Sequence, residues 1–230
     1  MYNNKTELIG HYGSDIVIAQ SAWTSTSREL DEKKLQRVPS LINMLWSEGH
    51  ETPFEKATVH FLVTTDIATH IHLLKHRISS LNAESARYKE LKEDKYYLPK
   101  DFKVSLSEES SKYGSFSERL GVNHDWYSVL DNYTKIGNEL YHQCLQDLTP
   151  VLGRKRAKES ARYFKTYNSQ ITSDVMFNMR SFANFIKLRS SEHAQLEVRE
   201  LALQMVDLVA NIEGDPFKHT LKTWKENNVW

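Results

Sequence analysis

The stretch Lys75-His76-Arg77-Ile78-Ser79-Ser80-Leu81-Asn82-Ala83-Glu84-Ser85-Ala86-Arg87-Tyr88 gathers cationic side chains, hydroxyls, an amide and a carboxylate into one short run. Arginine presents a planar fork of donors that meets phosphate or carboxylate oxygens two at a time. The small residues Ser79, Ser80, Ala83, Ser85 and Ala86 let backbone N–H groups approach a ligand as well. The chemistry this composition suits is the capture of an anion in a pre-built site. A basic surface loop with scattered salt bridges would have much the same content and do little. Spacing, and the company the stretch keeps, separate the two readings. A second polar block runs from Asn178 through Arg180, Ser181 and Asn184 to Arg189, His193, Gln195 and Glu197. Arg180 and Asn184 are four apart and so share a helix face. A third segment, Gly49-His50-Glu51-Thr52-Pro53-Phe54-Glu55, precedes both. Pro53 forces extended or turned backbone before it. Phe54 stands where a zinc-protease motif needs its second histidine.

Lys75-His76-Arg77, seven residues, then Ser85 and Arg87-Tyr88, resembles the signature of the flavin-dependent thymidylate synthases. That signature reads Arg-His-Arg, seven residues, Ser, and usually continues through Ser, Asn and Glu to Arg-Tyr. The block from Asn178 to Glu197 resembles the family's second characteristic block, in the expected order, and the segment from Gly49 to Glu55 resembles a third. Three departures stand out. Lys75 replaces an Arg and loses a bidentate fork. His72 replaces a Gln and brings a group that titrates near neutrality. Ala83 replaces the Glu after Asn82, with Glu84 displaced by one.

The resemblance implies an α+β fold, an antiparallel sheet packed with several long helices, as one domain over residues 1–230. It implies a homotetramer with active sites built between subunits. The implied activity makes thymidylate from 2′-deoxyuridine 5′-monophosphate (dUMP), with methylenetetrahydrofolate as carbon donor, FAD as hydride donor and NADPH as the flavin's reductant. Arg189 is the residue implied nearest to catalysis, beside the uracil ring where negative charge builds. Ala83, Glu84, Ser85, Ala86 and Arg87 would meet the nucleotide, as would Arg162 and the stretch His72, Leu73, Leu74 and Lys75. His50 and Thr52 are implied at the flavin, together with Lys75, His76 and Arg77, and with Asn178, Met179, Arg180 and Asn184. A hydroxymethylase acting on the same nucleotide, or a nucleotide-binding relative without catalysis, are the alternatives the departures leave open.

The elements that must position these groups read as follows. Residues 6–12 suit an edge strand, and Gly13-Ser14-Asp15 a turn and N-cap for a short helix. Pro39 suits the first turn of a helix whose apolar face is Leu41, Ile42, Leu45 and Trp46, ending at Gly49. Thr58 to Thr65 alternates, with Val59, Phe61 and Val63 on one side, which predicts a strand. Asp66 caps a helix through Ile67, Ile71 and Leu74, so that the first polar block emerges at a helix C-terminus and the loop beyond. Residues 101–124 read as a Ser-rich surface excursion. From Asp125 a long apolar stripe predicts a helix to Leu148, and Pro150 opens another. Thr166 to Phe177 reads as a strand, followed by helices along the second block, along Val198 to Ile212 and around Phe217 to Trp224.

Bulk properties narrow the partners. The 230 residues carry thirty basic and thirty acidic side chains, net zero. A duplex-binding protein carries a basic excess to displace counterions, so the arginine clusters point to a small anion and away from nucleic acid. The single cysteine, Cys144, falls on an apolar stripe and reads as an inert packing group. One thiol excludes an internal disulfide and a cysteine-based zinc site, as expected in a reducing compartment. No metal site is expected: the histidines at 60, 70, 72 and 76 lack a completing ligand at recognisable spacing. No stretch approaches the ~20 apolar residues of a membrane span, and the reading is a cytoplasmic protein. A Gly-x-Gly-x-x-Gly fingerprint is absent, so the flavin would be held by something other than a Rossmann turn.

Overall fold

The computed structural model of the chain describes residues 3–107 and 125–230. In order, these form β1 (Lys5–Tyr12), α1 (Asp15–Trp23), α2 (Glu32–Ser47), a 3-10 turn (Thr52–Lys56), β2 (Thr58–Asp66), α3 (Ile67–Leu74) and β3 (Ser80–Ala83). Then follow α4 (Trp126–Ala161), β4 (Gln170–Asn178), α5 (Met179–Arg189), α6 (Leu196–Ala210) and α7 (Lys218–Glu226). The strands make one four-stranded antiparallel sheet in the order β1-β2-β4-β3, so the class is α+β as expected. Residues 108–124 of the expected surface excursion lie outside the described residues. No helix among the described residues is long and apolar enough to cross a membrane.

The chain forms two compact units. The first, called here the sheet unit, comprises Lys5–Thr64, Ile71–Asn82 and Ser173–Trp230. Its core follows from period two on the strands and 3.6 on the helices. Val59, Phe61 and Val63 of β2 and Val175 and Phe177 of β4 are buried on one sheet face. Phe182, Phe185 and Ile186 of α5 and Leu201 and Met205 of α6 join the same cluster. β1 pairs antiparallel with β2, Lys5 opposite Thr64 and Tyr12 opposite Thr58, with the register shifting between Leu8 and Gly10. α2 packs on α1 and α7.

Pro39 departs from the expectation. It lies inside α2, because Asp31 already caps that helix by accepting from the Lys34 N–H at 2.7 Å. An interior proline costs about 3 kcal/mol. Burial of Val38, Ile42 and Leu45 around it, at about 2 kcal/mol each, outweighs that cost. Pro39 itself is exposed, so water can serve the carbonyl its ring leaves without a donor.

The second unit comprises Met1–Asn4, Thr65–His70 and Ala83–Thr172. Asp66 caps α3 as expected, accepting from the Thr69 N–H and hydroxyl, both at 2.9 Å. Asp125 caps α4 through the Ser128 N–H at 2.7 Å. Pro150 does not open a new helix. It lies within α4, and the break comes at Gly153, where φ is 75°, a value that a residue without Cβ reaches freely. Around Tyr141 the buried Lys165 ammonium donates to Asp94 at 2.6 Å and to Asn138 at 2.8 Å, 4.4 Å from the Tyr141 ring centroid. Burial pushes the Lys165 pKa down, and Asp94 opposes that shift.

Candidate active site

A cavity of 640 Å³ opens in the sheet unit, and three pieces of backbone build it. The first is the end of α3, where Lys75 N–H bonds to the His72 carbonyl and His76 N–H to the Leu73 carbonyl. These tight closing bonds stop the helix and turn Lys75, His76, Arg77 and Ile78 onto the cavity wall. The second is the junction of β4 and α5, which has no loop. Asn178 caps α5 by accepting from the Ser181 N–H at 2.8 Å and hydroxyl at 2.9 Å. Met179 N–H bonds to the Ala57 carbonyl. From that start α5 buries Phe182, Phe185 and Ile186 and lines the cavity with Arg180, Asn184 and Lys187. The third is the turn bearing Glu51 and Glu55.

The charges on this wall are unequal in their freedom. Arg180 donates from Nε to Glu51 at 2.8 Å and from Nη1 to Glu55 at 2.7 Å. Its hydrogen bonds to Glu55 and Glu51 push its pKa up. It therefore ties α5 to the turn and offers a ligand only what remains of its fork. Lys75, Arg77 and Lys187 make no salt bridge among the described residues. Three unmatched cations beside an amide at Asn184 and an apolar wall of Trp46, Ile78 and Ala183 fit a ligand that is planar at one end and anionic at the other.

Arg189 ends α5 and is half-buried. Its Nε donates to His76 Nε2 at 2.9 Å. The His76 ring stands edge-on to Phe185, 4.9 Å between centroids and 80° between planes. Burial, the Arg189 charge and His72 together lower the His76 pKa to about 4, so the ring is neutral at physiological pH and its Nε2 is an acceptor. His72 Nε2 meets Gln195 Oε1 at 3.0 Å, and the Gln195 amide donates to Glu197 at 2.8 Å.

A second cavity of 540 Å³ in the sheet unit carries His50 and Thr52, with Trp23, Leu41 and Met44 among its walls. Glu51 lines both cavities. Gly49 sets the exit from α2. At φ +72° it lets the His50 N–H return to the Leu45 carbonyl at 2.7 Å and its own N–H reach the Trp46 carbonyl at 3.1 Å, the paired bonds of a Schellman turn.

Ala83 to Arg87 and Arg162 belong to the second unit. Ala83 ends β3. Glu84 accepts from Lys89 at 2.5 Å and from the Thr172 N–H at 2.9 Å, and the Lys89 and Thr172 bonds prevail over burial to hold its pKa low. The Ser85 hydroxyl accepts from the Arg87 N–H at 3.3 Å. Arg87 is paired through Nε with Glu159 at 2.9 Å. Ala86 lies between them, and Arg162 is exposed at the end of α4, with no salt bridge among the described residues.

The sheet unit thus brings Lys75, His76, Arg77, Asn178, Arg180 and Asn184 to one cavity, with Arg189 reaching it through His76. His50 and Thr52 line the neighbouring cavity instead. Leu73 and Met179 have side chains in the core, 1% and 0% exposed, and offer a ligand backbone only, whereas Leu74 is half-exposed. Sequence reasoning missed Trp46, Glu55 and Lys187 as cavity residues. The signals were present: Glu55 is four after Glu51, and Lys187 three after Asn184 on an already recognised face.

Comparison with known proteins gives a concordant set of matches. The family model described as thymidylate synthase complementing protein matches residues 7–213. A flavin-dependent thymidylate synthase of Pseudothermotoga lettingae is 32% identical over 209 residues, 90% of this chain and 85% of the relative. Another from Thermosipho melanesiensis is 30% identical over 201 residues, 87% and 83% of the two chains. Among solved structures, a UMP/dUMP methylase, PolB, from Streptomyces cacaoi, bound with 5-Br dUMP, superposes with a TM-score of 0.74 at 24% identity, covering 98% of this chain and 96% of that one. At that identity the likeness speaks for the fold.

Proposed function

This chain belongs to the flavin-dependent thymidylate synthase family, and we propose that it converts dUMP to thymidylate in the cytoplasm. In this reading methylenetetrahydrofolate supplies the carbon, and FAD, reduced by NADPH, is the cofactor. The observation that carries the reading is the cavity wall on which Lys75, Arg77 and Lys187 stand unmatched beside Asn184, with Arg189 anchored at its edge. When bound, the reduced flavin supplies the hydride that completes the methyl group.

The protein's own residues bind and orient. Lys75, Arg77 and Lys187 are compact or forked donors for phosphate oxygens, while Asn178 and Asn184 offer amides for a ring edge. Arg189 acts where negative charge builds on the pyrimidine's N3 and carbonyl region as C5 becomes nucleophilic. A half-buried guanidinium already held by His76 stabilises that charge with little reorganisation. Ser85, the backbone of Ala83, Glu84 and Ala86, Arg87 and Arg162 hold the nucleotide, joined by His72, Leu73 and Leu74 at the end of α3. The enzyme works as a homotetramer with its active sites built between subunits. Arg87 can keep its Nε bond to Glu159 and offer its Nη groups to phosphate.

An absorption spectrum of the purified protein, followed by turnover with dUMP, methylenetetrahydrofolate and NADPH, tests the proposal. The expected results are bound flavin, a spectral change on adding dUMP, and thymidylate by mass. A colourless protein that neither takes up FAD nor forms product overturns it. A product heavier by one oxygen would assign the hydroxymethyl alternative.

A further inference from the structure

We propose that His76 is the positioning residue for Arg189: it accepts the Arg189 Nε–H and so fixes the guanidinium plane, leaving both terminal nitrogens for the nucleotide. The inference rests on the function proposed above for Arg189 and adds a role for a histidine otherwise counted only among the flavin-binding residues. Three observations support it. The contact is direct, at 2.9 Å, between residues 113 apart in the chain. The acceptor ring is itself fixed, edge-on against the buried Phe185 one turn before Arg189 on α5. Its other surroundings keep it unprotonated: burial, the Arg189 charge and His72 hold its pKa near 4, and Lys75, Arg77, Arg180 and Lys187 line the same cavity, against only Glu51 and Glu55. An imidazolium would have no lone pair at Nε2 and would repel Arg189.

The geometry has a chemical logic. An arginine at a helix end has several rotatable bonds, and aligning them only at the transition state costs rate. A neutral imidazole is suited to the task, because a carboxylate in its place would draw off the positive charge meant for the pyrimidine. The same chain supplies the contrast: Arg180 is held by two carboxylates and its charge is spent on them.

The test has two arms. In the first, His76→Leu and His76→Gln are compared with the parent at equal flavin content, measured by absorbance. Gln presents an amide oxygen close to where Nε2 stood, so it restores the acceptor. The Leu variant is expected to lose roughly tenfold or more in kcat with a smaller change in KM for dUMP, and the Gln variant to recover most of that loss. In the second arm, isotope-labelled histidine is titrated by NMR in the parent and in Arg189→Gln. The His76 pKa is expected to rise once the neighbouring guanidinium is gone. A Leu variant with parental kcat, a Gln variant as slow as Leu, or a His76 titration indifferent to Arg189→Gln would each overturn the proposal. The second arm needs no turnover, so a protein that shows the coupling but makes no thymidylate sinks the assigned function and leaves the pairing intact.

Discussion

Replacing Asp15 should loosen the C-terminal helix and, through it, the cavity wall. Asp15 is 5% exposed, and its carboxylate caps α7 from outside that helix. One oxygen accepts from the Thr220 N–H at 3.1 Å and hydroxyl at 2.6 Å, the other from the His219 N–H at 2.7 Å. These are the second and third helical N–H groups, where a carboxylate also meets the favourable end of the helix dipole. In Asp15→Ala the two Thr220 donors, on a residue 0% exposed, lose their partner at about 1–1.5 kcal/mol each, and the less buried His219 donor at about half that. Removing a carboxylate whose pKa burial has raised returns about 1 kcal/mol. The net loss is about 2 kcal/mol, which for a chain of this size lowers Tm by roughly 4–8 °C. Calorimetry measures it, and tryptophan fluorescence should follow, because Trp224 on α7 packs 5.5 Å from Trp46 of the cavity wall. A melting point within 1 °C of the parent would refute the reasoning. Asp15→Asn adds a check of sign. With the carboxyl pKa raised in the folded state, the parent gains on Asn as pH falls from neutrality through the raised value, and the advantage shrinks again on returning upward.

Three further outcomes are expected. Gly137→Ala would put a Cβ 2.7 Å from the Phe164 carbonyl oxygen, so urea unfolding should show a loss of about 1–3 kcal/mol, and, if Arg162 on the same turn holds the nucleotide as proposed, weaker dUMP binding. Arg189→Ala should lower kcat/KM by about 3 kcal/mol, roughly a hundredfold, in steady-state assays, with the fold intact by circular dichroism. The His76 ring, held neutral with a pKa near 4 against 6.5 when free, contributes stability present above pH 6.5 and lost as pH falls toward 4. At pH 5 the parent should be weakened against His76→Gln by about 2 kcal/mol before solvent screening, and by roughly 1 kcal/mol after it; parallel denaturant curves at pH 7 and pH 5 measure this.

What could be seen in the sequence was local chemistry. Alternation of Val59, Phe61 and Val63 needed only period two, Asp66 announced its helix because a cap and the donor it serves are three residues apart, and the apolar stripe after Asp125 was enough for α4. The glycine after Trp46 and the spacing of Arg180 and Asn184 were legible for the same reason. Both prolines misled; at Pro39 the penalty is local, while the burial of Val38, Ile42 and Leu45 that outweighs it depends on the packing of α2 against α1 and α7. The short strand Ser80–Ala83 was hidden inside a motif that reads as loop. Most of the site's electrostatics was out of reach in principle. Glu51 lies 129 residues from Arg180, and nothing near Arg87 points to Glu159. The residues of the cavity were recognised by type and order, and their pairings belong to tertiary structure alone.

Because β4 passes into α5 without a connecting loop, the helix behaves as a ruler. Asn178 marks its zero and Arg189 its far graduation, about 16 Å further along the axis at 1.5 Å per residue. No side-chain exchange can alter that span. One residue inserted after Ala183 would swing Arg189 by about 100° and push it about 1.5 Å outward, off the imidazole altogether. The count from 178 to 189 therefore fixes how far the Arg189 guanidinium stands from the cap that starts its helix.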